Sequence, residues 1–180
     1  MRICISGLTG SGKTTLGNLL AKELNIEHIT KESTETYAKI KEAMKGKGSG
    51  ELKLVQAADP KYAKAFDREI AGLAGRKNCV ITTWLGPWLV KDATLRVWLN
   101  ASVKERIRRK AIDLHTNEKN ATKYVMKKDG DTIKDFKKVY GIDMLDHSVF
   151  DIEIDTRKLT HKESVAVISM LAMLKERIKR

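Results

Sequence analysis

Residues 7–14, Gly7-Leu8-Thr9-Gly10-Ser11-Gly12-Lys13-Thr14, match the pattern G-x-x-x-x-G-K-[ST] in full. The run before them, Arg-Ile-Cys-Ile-Ser at 2–6, suits a buried parallel strand. After them, Leu16, Leu19, Leu20 and Leu24 recur at helical spacing over 13–24. Strand, glycine-rich loop and helix is the context in which this motif cradles phosphate. Gly7, Gly10 and Gly12 let successive N–H groups turn inward on an anion, and the helix start adds partial positive charge. Lys13 brings a full charge to the outer phosphates, and the Thr14 hydroxyl is a natural ligand for Mg²⁺. Gly7, Thr9, Gly10, Ser11, Gly12, Lys13, Thr14 and Thr15 together read as a nucleotide-phosphate site.

Outward from this motif, the chain alternates between helical and strand patterns. Residues 27–45 read as a loop followed by a helix. Gly46-Lys47-Gly48-Ser49-Gly50 is a break, and Asp59-Pro60 opens a helix with Tyr62, Phe66, Ile70 and Leu73 on one face. Residues 79–82 and 95–99 read as buried strands, with an aromatic turn at Trp84–Trp88 between them. Residues 101–140 hold twelve Lys/Arg against six Asp/Glu, half of the net charge of +12. They predict two helices broken at 117–120, the second interrupted near Asp129-Gly130-Asp131. A strand at 150–154 and an amphipathic helix at 161–178 close the chain. Strands separated by helices predict an α/β fold with a parallel sheet whose ligands bind beyond the strands' carboxyl ends.

Composition narrows the class. A chain of 180 residues, 42% apolar and 32% charged, is one globular domain and not a disordered chain. No apolar run reaches the roughly 18–20 residues of a membrane span, and the motif follows the N-terminus too closely for a signal peptide. Cys4 and Cys79 read as buried thiols of a reducing, cytoplasmic protein. The basic excess fits an anionic partner, a phosphorylated small molecule or RNA.

The ISGLTGSGKTT opening, Asp67 in FDREI, Leu85 and Trp88, LRVWLNAS with Glu105-Arg106 and Arg109, YGID at 140–143 and FDIEIDT at 150–156 resemble the archaeal-type cytidylate kinases. The resemblance covers nearly the whole chain. It implies a three-layer P-loop NTPase fold: a five-stranded parallel sheet, helices on both faces and a helical lid. The core would comprise 1–29, 76–112 and 140–180, with an acceptor-binding insertion at about 30–75 and the lid at about 113–139. It further implies a monomer that transfers the γ-phosphoryl of ATP, with Mg²⁺, to CMP or dCMP. Lys13, Arg106 and Arg109 would be catalytic, and Asp67, Trp84 and Lys128 would bind the acceptor. Thr82, Thr83 and Trp84 stand where the family carries an acid, a glycine and an arginine; Asp113, Lys128 and Asp135 replace lid arginines. An indole or an ammonium cannot form the bidentate contact of a guanidinium. A different small-molecule acceptor, or an ATP-binding protein that holds RNA, are the other readings. Asp92 could orient Mg²⁺ through water or simply belong to a turn, and the four histidines share no ligand spacing.

Overall fold

Ile3 and Ile5 join one core of the protein and Cys4 joins another, and all three are fully buried. A strand buried on both faces belongs at the centre of a sheet with a helical layer on each side. That strand is β1 (Arg2–Ser6). The computed structural model describes residues 1–43, 60–75 and 77–178. The break expected at Gly46–Gly50 and the Asp59 cap lie outside the described residues. Among these, β1 joins β2 (Glu27–Ile29), β3 (Cys79–Ile81), β4 (Leu95–Asn100) and β5 (Ile152–Asp155) in one sheet of order β2-β3-β1-β4-β5. Every pairing is parallel.

Helices α1 (Lys13–Leu24) and α7 (His161–Ile178) cover one face, where Leu16, Leu20, Val165 and Ile168 meet Ile3, Ile5, Val97 and Leu99. Helices α2 (Glu35–Ala43) and α3 (Pro60–Ala74) cover the other, where Ile40, Phe66 and Ile70 meet Cys4, Ile29 and Ile81. Each such aliphatic side chain contributes roughly 1.5–3 kcal/mol by leaving water. Strand β2 is a correction to the loop expected at its position. It has three residues, of which only Ile29 is fully buried, too few for alternation to show. A short helix, α4 (Gly86–Leu89), continues the aromatic turn after β3.

After β4, the Ser102 hydroxyl accepts from the Glu105 N–H at 3.3 Å and starts α5 (Val103–Asp113). Asn117 caps α6 (Glu118–Tyr140) in the same way, accepting from Asn120 N–H at 2.9 Å. Helix α6 runs unbroken through Gly130, which corrects the interruption expected there. Lacking a side chain costs a helix only about 1 kcal/mol, less than its flanking turns supply. It ends at Gly141, whose φ of 69° is the left-handed C-cap. Ile107 of α5 packs on Ala121 and Val125 of α6. Because the strands are parallel, the loops after β1, β3, β4 and β5 gather at one edge of the sheet.

Candidate active site

The loop between β1 and α1 is built for close approach. A Cβ on Gly7 would lie 2.6 Å from the Leu99 carbonyl oxygen, and one on Gly10 would lie 2.6 Å from that of Arg106. Both glycines have positive φ, 149° and 80°. The N-cap of helix α1 is Gly12, which offers no side chain to cap its first N–H groups. Thr9 Oγ1 and Ser11 Oγ are buried without a hydrogen-bond partner. An uncapped helix start beside unmet hydroxyls suits an anion with several acceptor oxygens. Thr14 and Thr15 stand exposed on the first turn.

Lys13 Nζ donates to the carbonyls of Gly7 at 2.6 Å and Leu8 at 3.0 Å, and lies 4.9 Å from the centre of the Trp84 ring. Burial lowers its pKa to about 7, and the nearby charges of Lys128, Lys110 and Arg106 push the same way, against Asp129.

The two arginines expected to be catalytic, Arg106 and Arg109, have different partners. Arg109 Nε bonds Glu105 at 2.9 Å; its Nη1 reaches Thr156 Oγ1 at 2.9 Å and the Ser11 carbonyl at 3.3 Å. It thereby ties α5 to the phosphate loop and to the loop after β5. Glu105 also receives two bonds from Arg108, and these arginines hold its carboxyl down to about 2. A cavity of about 590 Å³ opens beside them, lined by Lys104, Arg108, Arg109, Thr156 and Arg157. Arg106 is only 4% exposed, and its Nη1 donates to Asp129 Oδ2 at 2.5 Å and to the Thr9 carbonyl at 3.0 Å. In this arrangement it braces α6 against the phosphate loop, with partners distinct from those of Arg109. Its Nε is buried without a partner.

On the other side of Lys13, Trp84 meets Phe136 of α6 edge to face at 6.4 Å, and Phe136 meets Tyr140 at 6.0 Å. The Tyr140 hydroxyl donates to Asp67. Burial raises the Asp67 carboxyl. Asp67, Arg68 and Tyr140 border a second cavity of about 270 Å³. Asp67 and Trp84, distant in sequence, are thus linked through α6. The Lys128 ammonium lies against Tyr124, and its charge acts on Lys13. Asp92 pairs with Arg2, at the amino end of β1 and away from the phosphate loop, so it is a structural partner. Trp88 and Trp98 pack on Phe150. His28 bonds Thr82 and Asn18, and His147 bonds Glu153.

Comparison with known proteins decides the family. The model of the cytidylate kinase-like family matches residues 2–158. The cytidylate kinase of Sulfurisphaera tokodaii is 34% identical over 172 residues, covering 93% of each chain. The chain belongs to the cytidylate kinase-like family. The cytidylate kinase of Pyrococcus abyssi is 31% identical, covering 92% of this chain and 90% of its own. A gluconokinase from Sinorhizobium meliloti 1021 shares the fold at a TM-score of 0.62 and 14% identity, covering 99% of this chain and 95% of that one. The protein is a P-loop kinase with the α/β fold of that class.

Sequence reasoning missed Thr156, Phe136 and Asp129, which contact the expected site residues Arg109, Trp84 and Arg106. For Asp129 a signal exists. Ala121, Val125 and Asp129 recur every four residues, and all three are buried. An acid on the apolar stripe of a helix requires a buried partner.

Proposed function

We propose that the protein catalyses ATP-dependent phosphoryl transfer to a nucleoside monophosphate, with CMP or dCMP as acceptor. The observation that carries this reading is the place of Lys13, at the junction of two chains of contact. One runs from the phosphate loop through Arg109 and Thr156 to the larger cavity. The other runs through Trp84, Phe136 and Tyr140 to Asp67 and the smaller one. A kinase needs such a two-sided site, with the donor's outer phosphate between the two substrates. The cytidylate kinases among the relatives support a cytosine base in the acceptor.

In this reading the loop from Gly7 to Thr15 holds the donor phosphates, and Lys13 neutralises charge as it develops on the transferring group. Arg109 would add a second cation from α5. Acceptor and donor bring their own nucleophile and leaving group, so positioning and electrostatics carry the reaction. The exposed Thr14 hydroxyl is the protein donor that would hold Mg²⁺, and the ion would supply further neutralisation of the phosphates. Asp67 and Trp84 would face the acceptor. The Trp84 indole already holds the Lys13 ammonium and offers no bidentate contact to the acceptor phosphate, so an acceptor KM near or above 1 mM is expected. A coupled ADP-release assay against CMP, dCMP, UMP, AMP and GMP, with a no-acceptor control, tests the assignment. Turnover should be greatest with CMP and dCMP; equal ADP release without acceptor would refute it.

A further inference from the structure

We propose that Asp129 is a positioning residue for this reaction: it fills the phosphate loop in the nucleotide-free protein and yields Thr9 and Arg106 to the donor phosphates when nucleotide binds. The proposal rests on the kinase reading above. Asp129 is 7% exposed. Its Oδ1 accepts from the Thr9 N–H at 3.0 Å and its Oδ2 from Arg106 Nη1 at 2.5 Å. A backbone amide of the phosphate loop and a guanidinium are the donors that an incoming phosphate oxygen would use.

Charge and unmet hydrogen bonds point the same way. The charges felt at Lys13 are the cations Lys128, Lys110 and Arg106 and the anion Asp129. With no nucleotide present, the carboxylate balances part of that cluster. With a polyphosphate present, it would be a buried like charge against the ligand, which is unfavourable in a medium of low dielectric. Thr9 Oγ1, Ser11 Oγ and Arg106 Nε remain without partners while Asp129 is in place. The carboxylate therefore satisfies the site only in part. Asp129 also lies on the same unbroken helix as Phe136 and Tyr140, which reach Trp84 and Asp67. Its release would let donor binding move α6 and so reset the acceptor wall. A purely structural ion pair would instead persist with and without nucleotide.

Hydrogen exchange across 118–140 and at Thr9, with and without saturating Mg-ADP, separates the two. In the wild-type protein, ADP should change exchange at Thr9 and around Asp129; no change there overturns the proposal without any variant. Asp129→Asn should speed free-state exchange of α6 about tenfold or more, match the wild type once ADP is bound, and bind ADP several-fold more tightly. Asp129→Glu, which keeps the anion, should restore free-state protection. Faster exchange in both states with weaker ADP binding marks a permanent strut and overturns the idea, as does unchanged free-state exchange. If wild-type protein binds no ADP, the kinase reading itself fails. The free-state comparison needs no nucleotide, so the two failures are distinguishable.

Discussion

Burial, joined by the nearby charges of Lys128, Lys110 and Arg106, takes Lys13 down to about 7, although two carbonyls and an indole face hold its ammonium. Near pH 8 the folded, nucleotide-free protein therefore holds it mostly neutral, whereas a bound phosphate favours the charged form. Nucleotide binding at pH 8 should take up close to one proton, and at pH 6, where Lys13 is already charged, almost none. Calorimetry in buffers of different ionisation heat reads this number directly, and zero uptake at pH 8 would contradict the assignment. The same shift acts on stability. The unfolded chain keeps this lysine protonated up to its ordinary value of 10.5, so between about 7 and 10.5 the unfolded state binds more protons. Lys13 thus opposes folding most strongly below pH 7, and that opposition is relieved as pH rises through the window. Lys13→Ala should melt higher than wild type at pH 6 while losing about 10²–10³ in kcat. A variant that lost both stability and activity would reassign Lys13 to the fold.

Two glycines within helices predict opposite outcomes, because α6 is open where α1 is closed. Nothing lies within 4 Å of a Cβ added at Gly130. Gly130→Ala should therefore stabilise by about 0.5–1 kcal/mol, a rise of about 2–4 °C in a thermal melt at the upper figure. A Cβ on Gly17 would sit 2.3 Å from Thr82 Cγ2 and 2.6 Å from His28 Nε2, two side chains already bonded to each other at 2.7 Å. Gly17→Ala should destabilise by about 1–3 kcal/mol through overpacking, seen as a lower denaturation midpoint. The same contrast explains what could be read from the chain. The strand, loop and helix of residues 2–24 are encoded by neighbours in sequence, so the phosphate loop was legible in full. So were β3 and β4, marked by short, largely apolar runs, and α7, which is long enough to show its helical period. Strand β2 was hidden because its three residues owe their conformation to pairing with β3. The Gly130 break was misread because local propensity is outweighed by the packing of Ala121 and Val125 on Ile107. Asp129 and Thr9 stand 120 positions apart, and no local pattern announces that contact.

For the molecule as a whole, the net charge of +12 is distributed unevenly. Lys119, Lys123, Lys127, Lys134, Lys137 and Lys138 are all exposed along α6, while Ala121, Val125 and Asp129 are its buried positions. At helical spacing these six lysines fall on one face, opposite the buried stripe. At 1.5 Å per residue they extend over about 28 Å of helix. Such a row leaves the reacting groups untouched but raises the potential over the whole approach to the site, and a nucleotide arrives as a polyanion. Encounter should then be accelerated while the bound complex is unaffected. Raising salt from about 20 to about 300 mM shortens the Debye length from more than 20 Å to about 6 Å, so kcat/KM should fall several-fold with kcat nearly constant. Reversing Lys119, Lys123, Lys134 and Lys138 to Glu takes the net charge from +12 to +4. That variant should show a lower kcat/KM at low salt, a flatter salt dependence and the wild-type kcat. Steady-state kinetics of both proteins across the salt series decides it. A kcat that fell as steeply as kcat/KM would place these lysines in contact with the reacting complex, and a salt-independent kcat/KM would leave the basic face without a part in substrate capture.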